Sequence, residues 1–133
     1  MKDLIEILLK DGLDDILVTG FIDVGKYLKF NPLYDKVYFV CAKKTFEISL
    51  DDAGIILSQQ IERIEPWFSV DEDDQFAVMS IYNQLFKTEN EIDVKKICYQ
   101  PKSFEPLTLI YSEGDLERTL ILEPKNVFGF SFY

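Results

Sequence analysis

The chain has 133 residues, 47% hydrophobic and 14% aromatic, and carries a formal net charge of −10. This length suits one domain, and the apolar content is too high for a disordered acidic tail, so a packed core without disulfide or metal staples is expected. The acidity argues against direct binding to nucleic-acid phosphates or anionic membranes, and no segment approaches the roughly 18 apolar residues needed to span a bilayer.

Met1–Asp11 is predicted as a short amphipathic helix, because Leu4, Ile5, Leu8 and Leu9 fall at three- and four-residue spacings. Gly12 is placed to end it as a left-handed cap. The stretch lacks the small-residue cleavage pattern of a signal peptide. Asp14–Gly20 fits a buried strand or a further helical turn, and Asn31-Pro32 marks a loop. From Lys36 the apolar period changes to two. Val37–Ala42 and Thr45–Leu50 read as strands joined by a Lys43-Lys44 turn. Asp51-Asp52-Ala53-Gly54 is a second turn, Ile55–Ile64 a third strand, and Glu65-Pro66 closes the meander.

A central helix is expected near residues 70–87. Ser69-x-x-Glu72 fits a capping box, and Phe76, Met79, Tyr82 and Phe86, with Val78 and Leu85, form an apolar stripe behind it. Four further strands follow. They are Val94–Gln100, Leu107–Ser112 after a loop bracketed by Pro101 and Pro106, Leu116–Glu123 after the Glu113-Gly114-Asp115 turn, and a last strand carrying Phe128, Phe130 and Phe132 beyond Pro124-Lys125-Asn126. Short turns favour antiparallel pairing. The expected architecture is a single α+β domain over residues 1–133, with about seven strands in a mainly antiparallel curved sheet, half-barrel or two-sheet sandwich.

The charge is unevenly spread. Residues 1–44 and 94–133 are each balanced, whereas residues 45–93 carry twelve acids against Arg63 and Lys87. Acids in a first helical turn are stabilised by the positive helix end, which accounts for one to three of Asp71, Glu72, Asp73 and Asp74. It does not account for four in succession behind Glu62 and Glu65, since like charges packed this closely repel. Trp67 is the only tryptophan, and it reads either as a plug between strand and helix or as an aromatic anchor beside a charged rim.

Several chemistries are disfavoured. Histidine is absent, which removes the commonest general base and metal ligand, so no catalytic role is expected. Cys41 and Cys98 lie in apolar strand-like runs without a Cys-x-x-Cys, which suits core packing and a reducing, cytoplasmic location. Gly20-Phe-Ile-Asp-Val-Gly25-Lys26-Tyr27 nearly matches a phosphate loop, but Tyr27 replaces the Mg²⁺-binding hydroxyl and bulky residues fill the loop. A Ca²⁺ loop at Asp71–Asp74 fails because Phe76 stands where glycine is required and Tyr82 where glutamate is. Paired-carboxylate catalysis finds no spacing that singles out two acids. Neither a cofactor nor a metal is expected.

On the segment ERIEPWFSVDEDD (Glu62–Asp74), the β-meanders around a capped helix and the aromatic end VFGFSFY, the chain resembles small acidic immunity proteins of bacterial toxin–immunity pairs, including those of contact-dependent growth inhibition systems. The resemblance spans the whole chain without a signature motif. It implies cytoplasmic neutralisation of a cognate toxin, such as a nuclease with a basic phosphate-binding surface. The partner-binding residues then expected are Asp51, Asp52, Glu62, Glu65, Trp67, Asp71, Glu72, Asp73 and Asp74. Two other classes stay open: a small enzyme or ligand-binding domain with a pocket in the curved sheet, and a scaffold subunit of a larger complex.

Overall fold

The structure, a computed structural model, describes residues 1–23, 25, 28–87, 92–102, 104–126 and 129–133. Helix α1 (Lys2–Asp11) buries Leu4 and Leu8, the two residues four apart on its apolar side. The Gly12 N–H donates to the Leu8 carbonyl at 3.0 Å and closes the last turn. Its φ of 80° and ψ of −173° turn the chain out in an extended direction, not the left-handed helical one expected.

Nine strands and one short helix follow among the described residues. They are β1 (Asp15–Asp23), β2 (Lys29–Cys41), β3 (Lys44–Leu50), β4 (Ile56–Ile61), β5 (Asp74–Ser80), α2 (Tyr82–Phe86), β6 (Asp93–Cys98), β7 (Leu107–Glu113), β8 (Leu116–Asn126) and β9 (Gly129–Phe132). The fold is α+β, a curled half-barrel of mostly antiparallel strands in the order β4-β3-β2-β9-β8-β7-β6. β1 pairs with β2 and with β5, which extends the sheet off that path.

β2 holds the two halves together. Its ladder with β1 jumps from Val18↔Val37 to Thr19↔Leu33, leaving Tyr34, Asp35 and Lys36 outside the ladder. Tyr34 there makes a parallel pair with Gly129 of β9. Gly129 has φ of 99°, and a β-carbon on it would stand 2.4 Å from the Tyr34 carbonyl carbon, so only glycine permits this junction. The sheet's inner face, α1 and α2 enclose one continuous core. It includes Leu4, Leu8, Ile16, Val18, Phe39, Ile48, Phe86, Leu109, Leu122 and Phe130. Leu107, Leu109 and Tyr111 alternate along β7 and are all buried.

The expected central helix is not formed. Residues 74–80 are a strand, and only Tyr82–Phe86 is helical. The reason lies at long range: β1 offers an open edge, and β5 pairs with it in unbroken register from Leu17↔Ser80 to Asp23↔Asp74. Phe76 and Val78 suit a pleated surface as well as a helix, so tertiary pairing decides. The capped helix that contributed to the resemblance above is therefore absent. β1 itself resolves the ambiguity at Asp14–Gly20, and with β5 it raises the strand number from seven to nine.

Two smaller expectations are also corrected. Asn31-Pro32 lies within β2 and not in a loop: Pro32 stands opposite Gly20, while the Asn31 side chain donates to the Lys29 and Phe21 carbonyls at 3.1 and 3.4 Å. Cys98, expected in the core, is exposed at the end of edge strand β6, whereas Cys41 is buried. Phe128 of the expected aromatic series lies outside the described residues, but Phe130 is buried and Phe132 meets the Tyr34 ring edge-on at 6.1 Å.

Candidate partner-binding surface

The segment between β4 and β5 folds back over the sheet's second face. Trp67 is half-buried there, and its indole N–H donates to the Thr19 hydroxyl of β1 at 2.8 Å. Thr19 is fully buried on the face opposite Val18, so this bond satisfies a polar group cut off from water. Lys36, freed by the break in the β1–β2 ladder, stands 5.5 Å from the indole centroid and 3.1 Å from Glu47 Oε1 on β3. Tyr38, paired across the ladder with Glu47, is buried beneath. Burial first, and then the Glu47 carboxylate, push its hydroxyl up to about 12. Phe68 continues the cover, edge-on to Trp67 at 4.9 Å and tilted against Phe76 at 5.7 Å. Among the described residues no buried side-chain polar atom in this corner lacks a partner.

The next few residues behave differently. Asp71 accepts the Asp74 backbone N–H at 3.0 Å in a turn that launches β5. No helix begins here, so the acids have no positive helix end to stabilise them. Asp71, Glu72 and Asp73 are exposed and Asp74 is half-buried. Cross-strand pairing sets Asp74 opposite Asp23 at the end of β1. Asp23, Gly25, Asp71, Asp73 and Asp74 together line a shallow cleft of about 460 Å³. Partial desolvation, followed by Asp23, Asp71 and Asp73, raises the Asp74 carboxyl above its ordinary value. Among the described residues none of Asp71, Glu72, Asp73 and Asp74 forms an ion pair with Lys or Arg, nor is any group of three or more His, Cys, Asp or Glu arranged to hold a metal ion.

The nine residues expected at an interface are thus distributed over separate places. Asp71, Glu72, Asp73 and Asp74 are consecutive on one rim. Trp67 is next to them but engaged by Thr19 and Lys36. Glu62 and Glu65 are exposed after β4, with Glu65 accepting from Arg63 at 2.8 Å. Asp51 shapes the β3–β4 turn by accepting the Ala53 and Ile55 N–H groups at 2.9 Å, and Asp52 is exposed beside it. Asp23 was not singled out by the sequence. It belongs to the rim only through its register with Asp74.

The phosphate-loop likeness also has a structural answer. Gly20 is in β1, where a β-carbon would stand 2.1 Å from the Asn31 carbonyl oxygen, so the glycine serves strand–strand approach. The Gly25 N–H is taken by Asp23 Oδ1 at 2.9 Å, while Lys26 and Tyr27 lie outside the described residues. The Cys41 thiol is pushed up to about 11 by burial, then by Asp14 and Asp11, and is poorly suited to nucleophilic work. Among the described residues no helix is long and apolar enough to cross a membrane. Comparison with protein-family models, curated proteins and solved structures found no match to this chain.

Proposed function

We propose that the chain is an acidic protein-binding module that covers a basic surface of a protein partner, and that it acts as an immunity protein neutralising a cognate bacterial toxin in the cytoplasm. The observation that carries this reading is the rim of Asp23, Asp71, Asp73 and Asp74, whose carboxylates repel one another with no described cation to offset them. A fold gains nothing from such a cluster, whereas lysine and arginine on a partner relieve it. The proposed role is binding and not catalysis, with Trp67 fixing the segment that presents the rim. A toxin acting on nucleic acid has the basic cleft that such a rim complements.

Expressing the reading frame immediately upstream, with and without this chain, tests the proposal. Growth is expected to stop with the upstream product alone and to resume on co-expression of the wild type. Rescue is expected to weaken when Asp71, Asp73 and Asp74 become Asn and Glu72 becomes Gln. A harmless upstream product, or full rescue by that folded variant, overturns the reading.

A further inference from the structure

Three strands, β4, β5 and β6, are paired on one side only along their whole length among the described residues, and they are not equally protected. β6 carries Lys95 and Lys96 and a register shift between Val94 and Lys96, both devices that discourage strand addition. β4 has six residues, of which Ser58, Gln59 and Gln60 are polar. β5 has seven residues, DQFAVMS, with no lysine, arginine, proline or bulge, and it pairs with β1 without interruption. Val78 and Met79 on it are 39% and 45% exposed. Apart from the turn bond from Asp74 to Asp71, no described backbone group bonds to β5 from the side away from β1. An apolar groove of about 300 Å³, lined by Phe30, Pro32, Tyr34 and Met79 among others, adjoins its C-terminal end. The carboxylates of Asp71, Asp73 and Asp74 stand at its N-terminal end.

Edge and charge point to one occupant. We infer that β5 accepts an extended strand of the partner by backbone hydrogen bonding, with lysine or arginine at the end of that strand lying beside Asp71, Asp73 and Asp74. The inference rests on the acidic-binder reading and adds the mode of docking to it. Strand addition supplies main-chain hydrogen bonds along β5, and the exposed Val78 and Met79 offer apolar surface to side chains of the added strand. A second copy of this chain fits less well, because each copy brings a net charge of −10 to the contact.

The test uses the wild-type protein and the peptide Thr-Val-Thr-Val-Thr-Lys-Lys-Lys. A second peptide of the same sequence is N-methylated on every residue from the second to the fifth, which keeps the charge and removes the backbone donors from both edges of that stretch. Affinity and amide hydrogen exchange across Asp74–Ser80 are read for both at low salt. The plain peptide is expected to bind and to slow exchange in β5. The methylated one is expected to bind about tenfold more weakly or worse, the loss that two or so net hydrogen bonds imply. Equal binding of both peptides with strong salt sensitivity overturns strand addition while leaving the acidic rim intact. Binding of neither also overturns it, and the growth-rescue experiment then judges the rim independently. Concentration-dependent protection of β5 without peptide assigns the edge to a second copy and overturns it likewise.

Discussion

The Trp67 corner and the acidic rim are neighbours in sequence and opposites in electrostatics. In the corner, Lys36 is shared between the indole and Glu47, Thr19 accepts the indole N–H, and Tyr38 keeps its proton beneath them. On the rim, Asp23, Asp71, Asp73 and Asp74 face each other without a described cation. Charge that is offset within the chain fastens the fold. Charge left without an offset is what a partner can use, and this contrast separates the structural from the functional part of one acidic segment.

If the corner is structural, breaking it costs stability and breaking the rim does not. The largest effect is expected for Trp67→Ala, which removes half-buried aromatic area and strands Thr19. Urea unfolding should show a loss of about 2–3 kcal/mol, below the range for a fully buried tryptophan. The alkaline limb of stability comes next. Tyr38 and Cys41 keep their protons to about 12 and about 11 in the folded chain, against ordinary values of 10.0 and 9.0. Between pH 9 and 12 the unfolded chain therefore binds fewer protons, and stability falls as pH rises. Tyr38→Phe should flatten the upper part of that decline in thermal melts.

Thr19→Val is a finer probe, since it keeps the shape and removes the acceptor for Trp67. A loss of about 1 kcal/mol is expected by chemical denaturation. The smallest effect is expected at Asp74→Asn. A carboxyl raised in the folded state adds stability at low pH that is lost as pH climbs through its titration, above the ordinary 3.8. The variant should melt slightly higher than wild type at neutral pH and show no such advantage in acid. A marked destabilisation there would place the rim with the corner as a structural element.

Much of the fold is legible in the sequence because it rests on local pattern. Leu4 and Leu8 mark α1, and the alternation from Val37 onward and from Leu107 onward marks the two meanders. The stretch 69–87 is not legible that way. Phe76, Met79, Tyr82 and Phe86 satisfy a helical period, yet the open edge of β1 lies more than fifty positions upstream and overrides it. Asn31-Pro32 resembles a break, but Gly20 across the ladder lets the backbones approach there. The charge excess in residues 45–93 is plain from composition, while the rim's fourth member is not. Asp23 lies in a balanced region and joins only by register. The division between rim and corner needed the third dimension.

Association kinetics test the central claim most directly. The basic partner expressed from the upstream frame would be mixed with wild type and with the variant carrying D71N, E72Q, D73N and D74N over a range of salt. For wild type the association rate should fall steeply as salt rises. For the variant it should be about tenfold lower or more at low salt and nearly flat thereafter, as expected when steering charge is removed. Equal association rates for the two proteins at every ionic strength would contradict the account, and the acidic rim would then have no part in binding.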